Sequence, residues 1–197
     1  MAKINGIEIK ALKRFADHEG CRIAQGNLYL GGKKLGFWSQ DYMCGPDRFD
    51  FDKIYDDEKL NNKVKQLNFD KRIEITCRNG SKTFLEYDLD LLLYDLLTLK
   101  EEEKFFKKQA KKIGHNPVVI VINGQHSWNA LSLNAESYTK LSDEQILNLE
   151  NIKKEIKEIK KEVSYGGETS EVKVTIYRTL KNFDIGEHIK LEDIKTN

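Results

Sequence analysis

The sequence predicts an α+β fold: an N-terminal antiparallel β-meander followed by a mixed α/β portion with two long helices. Three observations predict it. The dipeptides Asn5-Gly6, Gly31-Gly32 and Asn79-Gly80 each separate runs rich in β-forming residues, the mark of hairpins closed by positive-φ turns. A leucine stripe at helical spacing starts at Leu89 and leads into a lysine-rich end before Gly114, the pattern of a long amphipathic helix. A second stripe, Leu149, Ile152, Ile156, Ile159 and Val163, follows Ser142 and Gln145, which have capping-box spacing. The chain has 197 residues, enough for one domain or a domain with an appended lobe. It divides into a hairpin-rich region at 1–55 and a mixed α/β region at 56–197, with helices near 88–113 and 142–164.

The first hairpin joins Ala2–Ile4 to Ile7–Phe15 through Asn5-Gly6, with Ile7 and Ile9 alternating against Glu8 and Lys10 as in a half-buried strand. Asp17 to Gly20 breaks it, and Cys21–Leu30 enters the Gly31-Gly32 hairpin, whose return arm is Lys33–Ser39. Regular alternation puts Leu28, Leu30, Leu35 and Phe37 on one face, and Tyr29 and Trp38 on the other. That second face is either a further core layer or an exposed contact surface. Phe49 and Phe51 alternate with Asp50 and Asp52, which predicts an edge strand with its aromatics inward. Leu60, Val64 and Leu67 predict a helix capped by Asp56 or Asp57.

A third hairpin, Arg72–Cys77 with Lys82–Tyr87, runs into the helix at 88–113, with Asp88 as N-cap and Gly114 then Pro117 as the stop. Leu92, Leu96, Leu99 and Phe106 belong to its buried face, set against the strand at 117–122. That strand, Pro117–Ile122, is a continuous apolar run, expected of a strand covered on both faces. Strand, helix and buried strand together outline a crossover unit, and Ser127–Leu133 is placed to pair back. The stripe at 142–164 fits a helix packed on the sheet; as a coiled-coil seam it falls short of the about three heptads such a seam needs. Val172, Val174 and Ile176 form a half-exposed last strand, and Asp184–Asn197 is a short polar tail.

Composition narrows the function classes. The net charge of +1 provides no bulk attraction for nucleic acid, so any such role needs a local patch. The three cysteines are widely spaced with no C-x-x-C pair, which argues against a disulfide framework or a zinc knuckle and for a reducing, cytoplasmic setting. No run approaches the roughly 20 apolar residues of a membrane span. None of the four histidines has a partner at a metal-ligand or base spacing, and no phosphate-binding or nucleophile motif occurs. No catalytic residue, metal site or cofactor is assigned. The acids of the arm after the second hairpin, Asp47, Asp50 and Asp52, with Glu86 or Asp88, raise one alternative: a metal-dependent nuclease or RNA-processing factor using oxygen ligands for Mg²⁺. Their plainer role is the charged face of an edge strand.

At HEGCRIAQGNLYLGGKKLGFWSQDYMCGPDRFDF and again at YDLDLLLYDLLTLKEEEKFFKK, the chain resembles small proteins of phages and plasmids of Gram-positive bacteria. Some proteins of that group are anti-CRISPR proteins acting on type II systems. The resemblance covers the first two-thirds of the chain and leaves out the helix at 142–164. It implies a non-enzymatic inhibitor that binds a host defence protein or ribonucleoprotein, such as an RNA-guided nuclease or its guide RNA. It transfers no residue role. From the residues themselves, the partner-binding candidates are Tyr29, Lys33, Lys34, Trp38 and Arg48 on the second hairpin and its arm, since Trp, Tyr and Arg are favoured anchors.

Overall fold

The computed structural model describes residues 1–16, 22–41, 46–53, 55–66, 73–76, 81–85, 87–123, 128–164 and 172–185. The described residues form an α+β chain of strands β1 (Lys3–Ile4), β2 (Ile7–Ala16), β3 (Arg22–Leu30), β4 (Lys33–Ser39) and β5 (Arg48–Phe51), then helix α1 (Asp56–Gln66). The hairpin β6 (Ile73–Thr76) and β7 (Lys82–Leu85) leads to α2 (Leu89–Ile113), β8 (Val118–Asn123) and β9 (Trp128–Leu133). Last come α3 (Asp143–Leu147), α4 (Glu150–Ser164), β10 (Lys173–Tyr177) and β11 (Asp184–Ile185). Two compact units result, Met1–Lys100 with Phe183–Ile189, and Glu101–Asn182 with Lys190–Asn197.

The first unit is built on a six-stranded sheet in the order β11-β1-β2-β3-β4-β5. The meander from β1 to β5 is antiparallel throughout. Both of its tight turns use left-handed backbone: φ is 47° at Asn5 and 77° at Gly6, and 56° at Gly31 and 82° at Gly32. These are the angles that match the twist of the strands they join. The two turns also meet, since Gly31 N donates to Gly6 O at 3.0 Å. Ile7, Ile9, Ala24, Leu28, Leu35 and Trp38 are buried from this sheet. Leu60 and Val64 of α1, and Leu92, Leu93, Leu96 and Leu99 of α2, are buried in the same unit. Asn5 Nδ2 donates to Lys63 O at 3.0 Å and an Arg14 guanidinium N–H to Leu97 O at 3.4 Å, which tie α1 and α2 to the sheet.

The polar tail expected from Asp184 onward is corrected at its start. Asp184–Ile185 is a strand, parallel to β1, with Lys3 and Asp184 paired at 2.8 Å. Phe183 and Ile185 are buried, and two apolar side chains in so short a stretch are enough to anchor it.

Asp88 caps α2 as expected, its carboxylate accepting from Leu91 N at 3.0 Å. Gly114, at φ 78° with its N–H on Ala110 O, closes the other end. The second unit holds the three-stranded sheet β10-β8-β9. β8 is its centre and antiparallel to both neighbours, while β7 pairs with β6 in a separate two-stranded sheet, so the crossover outline is corrected. An unbroken apolar run reports burial on both faces, and Val118–Ile122 is fully buried; it does not report strand direction. Val118, Ile120, Ile122, Leu133 and Val174 form one core with Ile146, Ile152 and Ile159 of α3 and α4. The helix stripe therefore packs on the sheet.

The continuous helix expected at 142–164 is also corrected. The capping box forms at Ser142 and Gln145, but the helix stops at Leu147 and restarts at Glu150. Leu149 N bonds Ile146 O at 3.1 Å in a tighter i→i+3 step. The spacing of Ile146, Leu149 and Ile152, three residues each time, fits that step. Elsewhere in the unit, Tyr177 of β10 donates its hydroxyl to Glu102 of α2. Burial and the Glu102 charge push the Tyr177 hydroxyl above its ordinary pKa, so it remains a donor. The third hairpin pairs Ile73 with Leu85 and Thr76 with Lys82. Its Asn79-Gly80 turn and Leu67 of the α1 stripe lie outside the residues whose placement is described.

Candidate functional site

Two irregularities in the six-stranded sheet decide which side chains face outward. Between β3 and β4 the pairing runs Gly26↔Trp38, Asn27↔Phe37 and Leu28↔Gly36, and then shifts to Tyr29↔Lys34. Leu35 is the extra residue of a β-bulge, and one extra residue reverses the alternation beyond it. Trp38 thus joins Leu28 and Leu35 on the buried face, and Phe37 moves to the face of Tyr29. The pairing of Tyr29 with Trp38 expected from regular alternation is corrected on this ground. Gly36 permits the bulge, because a Cβ there would fall on the Asp50 carbonyl oxygen and within 2.8 Å of the Phe51 Cα.

The second bulge lies between Lys10 and Lys13 of β2, with Ala11 at φ 51°. It carries Lys13 and Phe15 to the face of Gln25 and Ile23. Gly26 sits opposite, where a Cβ would meet Ile9 at 2.6 Å.

The outer face so formed has three cross-strand rows: Glu8, Tyr29 and Lys34; Lys10, Asn27, Phe37 and Asp50; and Lys13, Gln25, Ser39 and Arg48. Phe37 is 36% exposed and Phe15 45%. Lys10 Nζ lies 4.3 Å from the centre of the half-buried Tyr29 ring, a cation–π contact. The charges are locally paired: Lys10 with Glu8 at 3.7 Å, Lys34 with Asp52 at 3.8 Å, and Arg48 with Asp41 at 3.9 Å. The Lys34–Asp52 pair is exposed on both sides and adds little stability.

Of the sequence-predicted residues, Tyr29, Lys34 and Arg48 share this outer face. Lys33 is exposed beside the turn, opposite Leu30. Trp38 has no exposed surface, so of the two roles weighed for it the structure shows core. Phe37, Phe15 and Lys10 were missed. Gly36 inside a strand was the available signal, since an interior glycine often marks a bulge or a close approach.

The acids of the arm are dispersed. Asp47 accepts from Trp38 Nε1 at 2.7 Å. Asp50 is exposed opposite Phe37, and Asp52 faces Lys34; Glu86 lies outside the described residues. Among the described residues, no group of three or more His, Cys, Asp or Glu side chains is placed to hold a metal ion. Burial pushes the Asp47 carboxyl above its usual range, against the opposing effect of the Trp38 hydrogen bond. Asp90 is also raised, by burial and then by the charges of Asp47 and Asp88. Phe49 and Phe51 stack with ring centres 5.7 Å apart. No helix among the described residues is long and apolar enough to cross a membrane.

No protein-family model matches the chain, and neither does any curated protein or solved structure.

Proposed function

We propose that the chain is a non-enzymatic interaction protein that binds a host protein, alone or within a ribonucleoprotein, through the outer face of the six-stranded sheet. The observation that carries this reading is the exposed Phe37 in the row next to Tyr29 on one sheet face, with the exposed Phe15 two rows further along the same face. An aromatic patch set among polar residues is the composition of a contact surface, with the aromatics as anchors and the charged rim giving register. Lys34, Arg48 and Lys33 supply the basic part of that rim, and Asp50 and Asp52 the acidic part. The resemblance to mobile-element proteins suggests the partner class, a defence nuclease guided by RNA, and the three widely spaced cysteines suggest a cytoplasmic site of action.

The test is capture of partners from host lysate by the tagged chain, with and without ribonuclease treatment, alongside a Tyr29→Ala/Phe37→Ala variant. A partner retained after ribonuclease and lost with the variant supports direct protein binding. A partner lost after ribonuclease is held through RNA. Capture that ignores the variant removes the outer face from the account.

A further inference from the structure

α2 changes character at Lys104. From there to Ile113 it carries Lys104, Lys107, Lys108, Lys111 and Lys112 and no acid, and all five lysines are exposed. At 3.6 residues per turn they fall on one continuous arc, opposite Phe106, which is buried. Lys107 reaches Glu103 at 2.7 Å. Among the described residues, no ion pair is formed with Lys104, Lys108, Lys111 or Lys112. α4 is the contrast. Its Lys153, Lys154, Lys157 and Lys160 are interleaved with Glu150, Glu155 and Glu158, and Lys154 faces Glu158 at 3.9 Å. Lys111 and Lys112 lie in the last turn of α2, where they complement the helix dipole; Lys104 and Lys108 lie beyond the reach of that effect. In a chain of net charge +1, this is a local excess of positive charge.

We propose that the lysine face of α2 binds duplex DNA, lying in the major groove with lysines on the phosphates of both walls. Lys107 and Lys112 bound the arc, and Lys104, Lys108 and Lys111 lie between them. A helix with its side chains is about 10–12 Å across and the major groove of B-DNA about 12 Å wide, so an arc this broad meets both walls. The A-form major groove of duplex RNA is too narrow and deep to admit it. A single strand is held by aromatic side chains that stack on its bases, and the arc has none. It also has no Asn, Gln or Arg to read base edges, so the binding is independent of sequence and strongly dependent on salt.

The experiment is fluorescence anisotropy of the full chain with a labelled DNA duplex two helical turns long, and with an RNA duplex of the same sequence. Salt is titrated between about 50 and 200 mM. The wild type is compared with the variant Lys104→Gln/Lys108→Gln/Lys111→Gln/Lys112→Gln and with the corresponding four-fold Lys→Arg variant. The wild type binds duplex DNA, and the Gln variant binds more than tenfold more weakly at low salt. Its slope of log affinity against log salt is shallower by about 3 to 4. The Arg variant binds as the wild type does, which separates loss of charge from loss of fold, and circular dichroism melting of each variant is the companion measurement. Three results overturn the proposal: no wild-type binding to duplex DNA at low salt, undiminished binding by the folded Gln variant, or equal binding to duplex RNA.

Discussion

Trp38 has no exposed surface, and its indole N–H donates to Asp47 at 2.7 Å. Truncating it leaves a cavity and a part-buried carboxylate without its donor, so Trp38→Ala is expected to cost about 3–5 kcal/mol in denaturant unfolding. Phe37, one position earlier, stands on the other face at 36% exposure. Phe37→Ala is expected to cost about 1 kcal/mol, well below the cost at Trp38. A reversal of those two magnitudes would mean the bulge at Leu35 is misplaced. Asp47 carries a pH dependence. Its folded pKa is raised above the unfolded value of 3.8, so its contribution is fully present below the unfolded value and is lost as pH rises through the folded one. Asp47→Asn keeps an acceptor for Trp38 and removes that ionisation. Its melting temperature should exceed the wild type's at neutral pH, and the difference should vanish in acid below the unfolded value. A variant that melts lower at every pH would contradict this.

At the scale of single elements, much was legible in the sequence where one signal had one physical cause. Asn5-Gly6 and Gly31-Gly32 close hairpins because their backbones take positive φ. Asp88 and Gly114 bound α2 because they satisfy its orphan end groups. What was not legible involved residues added to or dropped from a period. The extra residue at Leu35 reverses the faces of β4 without changing composition, and only Gly36 hinted at it. The break at Asn148 shortens the predicted helix although the apolar spacing runs across it. The direction of β8 was hidden because burial on both faces erases alternation, the one feature that would distinguish its setting. Two predictions belong to this scale. Gly36→Ala drives a Cβ into the backbone of β5, and should destabilise by about 1–3 kcal/mol, as overpacking does; an unchanged melting curve would show that β5 is not held there. Leu96→Ala, at a fully buried position of α2, should cost about 2–5 kcal/mol.

Across the whole molecule the burial and charge patterns separate stability from contact. Each compact unit has its own sheet, with Val118–Ile122 of β8 buried in one and Ile7, Ile9, Leu28 and Trp38 buried in the other. The exposed aromatic residues of the outer sheet face contribute little to that burial. The candidate site was therefore half legible: alternation and composition located the hairpin and its basic rim, while the identity of the outward aromatic depended on a bulge no periodicity encodes. The most direct measurement is the affinity of the captured partner for the wild type and for Tyr29→Ala/Phe37→Ala, each protein accompanied by its melting curve. The account predicts binding weaker by at least about tenfold, as for loss of anchor residues, by a double variant that still melts cooperatively well above the assay temperature. Wild-type affinity in the folded double variant would contradict it.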